Sequence, residues 1–87
     1  PTRGTSFLRI TASGKLYSGF SFPVVESGDM LMAAHIHIGA AGINGPVLLG
    51  LAGSTADFAA TKVFELSAAL RTSILNDALY VNVHSML

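Results

Sequence analysis

The 87 residues predict an all-β fold, a small antiparallel β-sandwich or barrel with one short helical segment before the last strand. Three observations carry that expectation. Apolar and polar residues alternate over several short runs, turn residues rich in glycine separate those runs, and only the stretch after Ser67 has helical spacing. A chain of this length supports one hydrophobic core, so residues 1–87 read as a single domain, with a compact radius of gyration of about 12 Å.

The first alternating run is Phe7 to Thr11, with Phe7, Arg9 and Thr11 on one side and Leu8 and Ile10 on the other. Ala12-Ser13-Gly14 reads as a turn. The second run, Lys15 to Phe22, sets Leu16, Phe20 and Phe22 against Lys15, Tyr17 and Ser21, and Pro23, which lacks a ladder donor, is expected to end it. The two runs form a hairpin.

After the polar segment Glu26-Ser27-Gly28-Asp29, Met30 to Ile38 forms the next strand. Strict alternation puts Met30, Met32, Ala34, Ile36 and Ile38 on one face and Leu31, Ala33, His35 and His37 on the other. In the glycine-punctuated loop from Gly39 to Pro46, Asn44-Gly45 is a turn signal because both residues tolerate positive φ. Val47 to Leu51 resumes an apolar strand, Ala52 to Thr61 reads as a loop, and Lys62 to Leu66 as a short strand. Ser67 is placed to cap a helix over Ala68 to Leu75, with Leu66, Leu70 and Ile74 sharing a face. Ala78 to Ser85 alternates most cleanly, with Leu79, Val81 and Val83 opposite Tyr80, Asn82 and His84.

Composition narrows the function classes. There is no cysteine, which excludes disulfides within the chain, thiolate metal sites and thiol nucleophiles. Five basic residues balance five acidic ones, so no basic footprint for nucleic acid is present. Only 11% of residues are charged, about half the usual share, which favours burial in an assembly. Met30 to Ala56 lacks Asp, Glu, Lys and Arg but contains two histidines, a proline and several glycines, and is not a membrane span. The chain opens on Pro1 without a charged and then apolar leader, so a signal peptide is expected to have been removed or to lie outside these residues. No carboxylate pair, nucleophile elbow or phosphate-cradling loop appears, and the expectation is a non-enzyme with no catalytic residue.

His35, His37 and His84 are the chemically interesting residues. His35 and His37 are two apart in a strand, so both rings leave one face, with β-carbons roughly 6 to 7 Å apart. If the last strand lies beside theirs, His84 can supply a third nitrogen to a copper or zinc ion. No fourth ligand is evident, because Asp29, Asp57, Glu65 and Asp77 all sit in other segments. The competing reading is structural: ring N–H groups satisfy carbonyls between Gly39 and Gly45 and pin the glycine-rich loop. Tyr80 and Asn82 share the His84 face and read as surface or hydrogen-bonding residues.

Three stretches in order, Ala34-His35-Ile36-His37-Ile38-Gly39, Gly42-Ile43-Asn44-Gly45-Pro46-Val47 and Leu79-Tyr80-Val81-Asn82-Val83-His84-Ser85, resemble the signature of the CHRD, or chordin-domain, family. The resemblance extends over nearly the whole chain. It implies an extracellular or cell-surface β-sandwich that acts as a non-catalytic structural or interaction module. Family members usually continue into a further strand, whereas this sequence stops at Met86-Leu87. An absent closing strand would leave an open edge. The expectation is then a homo-oligomer or filament, or a complex with another extracellular protein, with the copper- or zinc-binding domain as the alternative.

Overall fold

The computed structural model describes residues 2–40 and 42–87. Six strands and one α-helix follow one another as β1 (Arg3–Ile10), β2 (Lys15–Val24), β3 (Leu31–Ile38), β4 (Val47–Ala52), β5 (Lys62–Glu65), α1 (Ala68–Asn76) and β6 (Leu79–Ser85), with a short 3-10 helix at Thr55–Ala59 between β4 and β5. They build two three-stranded antiparallel sheets, β1-β2-β5 and β4-β3-β6. The all-β sandwich with one helix before the last strand is therefore what the chain adopts.

Period-2 alternation explains the packing between the sheets. Leu16 and Ser18 of β2 and Ala34 and Ile36 of β3 face inward and are fully buried. Leu31, Leu51, Ala52 and Phe58 complete the core, with Phe20, Phe22, Leu79, Val81 and Val83 packed around it. The radius of gyration is 13.3 Å, and the molecule measures 41 × 28 × 17 Å. It exceeds the size-scaling figure because two thin sheets make a slab rather than a sphere.

Three details depart from simple alternation. β2 does not stop at Pro23 but runs to Val24, because β5 covers only Lys15 to Ser18 and the ladder with β1 shifts register near Gly4, leaving Pro23 where no donor is required. In β3, a register shift against β6 between Leu31 and Ala33 changes the phase. Leu31 is buried, while Met30 and Met32 are exposed, so the methionines do not line the core. Within the segment Ala52 to Thr61, expected to be a loop, Thr55–Ala59 forms the 3-10 helix because Phe58 is pulled into an aromatic cluster, its ring 4.8 Å from that of Phe20 and 6.0 Å from that of Phe22. Helix α1 begins as expected, with Leu70 N–H donating to the Ser67 hydroxyl at 3.2 Å.

The two ends of the chain meet at Asp29. Its carboxylate accepts from the Thr2 hydroxyl, from Met30 N–H at 2.8 Å and from Leu87 N–H at 3.1 Å. The Thr2 hydroxyl in turn accepts from Glu26 N–H. These donors, with the Thr2 hydroxyl foremost, hold the Asp29 pKa down to about 2.

Candidate functional site

Strand β3 lies between β4 and β6, so the outer face of this sheet collects every polar side chain that alternates with its core residues. His35 stands opposite Asn82, His37 opposite Tyr80, and His84 opposite Ala33, diagonal to His35. The three histidines thus come from neighbouring strands onto one face, as the sequence placed them. The His35 ring centroid lies 6.1 Å from that of His37 and 5.7 Å from that of His84.

Two irregularities in β4 flank the histidines. The β3–β4 register shifts between Ala34 and His35 and again between Ile36 and His37. Each shift gives β4 one extra residue, which lets Leu51 and Ala52 be buried together and Leu48 and Leu49 both reach the core. Bulges of this kind re-aim side chains beside functional positions. Gly50 lies under the His35 ring, and a β-carbon there would meet its Cδ2 at 3.8 Å.

His37 is the most constrained of the three. Its Nδ1 lies 2.9 Å from Gly45 O, a carbonyl that can only accept, so Nδ1 carries the proton. Its ring stacks on Tyr80 at 5.0 Å with the planes 5° apart, and the Tyr80 hydroxyl accepts from Gly45 N–H at 3.0 Å. Gly45 is needed here for closeness rather than for positive φ: a β-carbon would fall 1.5 Å from Ile38 O. Positive φ is found instead at Gly42, where Ile43 N–H turns back to Ala40 O. The loop-pinning role therefore holds for His37, with Tyr80 as its partner, the hydrogen-bonding rather than the surface reading of that residue.

His35 has no such partner. Its Nδ1 is buried without a hydrogen bond among the described residues, and so is Nε2 of His37. His84 is exposed. Among the described residues no three His, Cys, Asp or Glu side chains stand close enough to hold an ion as they are placed. Asp57 and Glu65 are engaged elsewhere. Asp57 pairs with Lys62 at 2.7 Å and accepts from Gly53 N–H, and those contacts, Lys62 first, lower its pKa. Glu65 faces Lys15 across the β2–β5 ladder.

A second feature lies between the sheets. Thr2, Gly4, Phe22, Leu31, Val81, Val83 and Ser85 line a groove of about 300 Å³ between the free sides of β1 and β6. Seven of the eight residues of β1 are exposed, among them Phe7 at 52% and Leu8 at 37%. Leu8 points inward, opposite Ser18, yet the other sheet does not reach it.

No helix of the described residues is long and apolar enough to cross a membrane. No curated protein and no solved structure matches the chain. The family model for the CHRD domain matches residues 2–87, and on that match the chain belongs to the CHRD domain family.

Proposed function

We propose that this domain is an extracellular, non-catalytic interaction module that associates with further copies of itself through the free edges of β1 and β6. Family membership supports the extracellular setting and the absence of catalysis. The observation that carries self-association is the groove between those edges, floored by Phe22, Val81 and Val83. An edge strand presents unpaired N–H and C=O groups that template another strand. A strand laid along β6 would satisfy those groups and send alternate side chains into the groove. A low charge density, 11% of residues, leaves few gatekeeping lysines or glutamates to oppose the contact.

Sedimentation velocity over a concentration series from about 1 to 100 μM tests this, since association follows mass action. The mass should rise with concentration, and Val83→Lys, which places a charge at the groove, should hold the protein as a monomer. A wild-type chain that stays monomeric across the series contradicts the proposal.

A further inference from the structure

We infer that His35, His37 and His84 form a binding site for one late first-row metal ion, copper(II) in preference to zinc, assembled when the exposed His84 ring swings toward the other two. The inference is independent of self-association, because the histidines occupy the outer face of the β4-β3-β6 sheet and the groove lies on its inner side.

His37 is prepared as a ligand. With the proton on Nδ1 directed to Gly45 O, the lone pair of the ring lies at Nε2, and that atom is buried with no hydrogen-bond partner among the described residues. A carbonyl behind one ring nitrogen and an ion before the other is the recurrent arrangement of metal-bound imidazole. The Tyr80 stack fixes the plane of the ring, and Gly45 N–H fixes the Tyr80 hydroxyl, so a second layer already orients the ligand. His35 adds a second buried nitrogen without a partner. Its Cδ2 edge lies toward Gly50 of β4, which turns the Nδ1 edge away from that strand.

Distances decide how much must move. A metal–nitrogen bond of about 2.0–2.1 Å puts a ring centre roughly 3 Å from the ion, so two imidazoles sharing an ion lie at most roughly 6 Å apart. The observed 5.7 and 6.1 Å are at that limit. His37 and His84 flank His35 on opposite sides in the β3–β6 register, so the ion would sit over His35 and His84 must rotate inward; it is the free member because it alone of the three is exposed. Three neutral imidazoles suit copper and zinc and are poor ligands for calcium or magnesium, and the intrinsic affinity order places copper(II) above zinc. Solvent completes the shell.

The test is calorimetric titration of the metal-free full chain with copper(II) and, separately, zinc(II), alongside His84→Ala and His35→Ala. His37 is left intact because its loss would also free the Gly45 loop. The wild type should take up one equivalent of copper(II) more tightly than zinc, and each variant should bind at least about tenfold more weakly, the scale on which even outer-shell changes act. Copper EPR should show three coupled imidazole nitrogens in the wild type and fewer in each variant. Thermal melting of the metal-free proteins should show the His84→Ala fold unchanged. Failure of the wild type to bind either ion, or binding by His84→Ala as tight as that of the wild type, overturns the site.

Discussion

Strands β1 and β3 are both eight residues long and both alternate, yet they meet opposite environments. β3 is paired on both sides and covered by β2, and Ala34 and Ile36 are wholly buried. β1 is paired on one side only, and every residue but Ile10 is exposed. The difference teaches that alternation specifies a strand and its two faces but not how many neighbours the strand has. Stability concentrates where neighbours are complete, and capacity for partners remains where they are not.

Truncation should separate the two strands most strongly. Ile36→Ala removes a fully buried side chain and should cost about 2–5 kcal/mol, whereas Leu8→Ala should fall within about 0.5 kcal/mol, both read by denaturant unfolding. Comparable losses at the two positions would mean that β1 is packed as tightly as β3. Gly45→Ala comes next, since its β-carbon would collide with Ile38 O and drive the loop off His37. A loss of more than about 2 kcal/mol is expected, together with loss of the His37–Tyr80 stack as read by ring-current shifts.

Asp29 tests the free edges from their fastened end. Its folded pKa lies below the ordinary value of 3.8, so its contribution is present above that value and lost as pH falls through about 2. Lowering pH from about 4 to 2 should therefore release Thr2 and Leu87, with exchange rising in β1 and β6 before β3. Asp29→Asn should abolish this part of the acid response. One further change has the opposite sign. The Ser18 hydroxyl is buried without a partner among the described residues, so Ser18→Ala should stabilise the core by about 1 kcal/mol in the same unfolding assay.

Much of this was legible in the residues. Alternation located β3 and β6 and set His35 and His37 on one face, and Ser67 announced α1. The phase change at Leu31 was hidden because Leu31 and Met32 are equally apolar, so neither face is marked by composition. Phe58 was the one large side chain in an otherwise small and polar stretch, a sign that the segment folds back on the core. Gly45 is required by Ile38, seven residues away, and its bond to Tyr80 spans thirty-five residues, contacts that no local pattern encodes. His84 joined the other histidines only through the β3–β6 pairing, which is a property of the sheet and not of either strand.

The proposed self-association places the contact between copies at the free edges of β1 and β6. Amide hydrogen exchange, followed strand by strand at low and high protein concentration, tests that claim most directly. Protection should increase with concentration in β1 and β6 while β3 stays as it is. Edges that exchange equally fast at every concentration would contradict it.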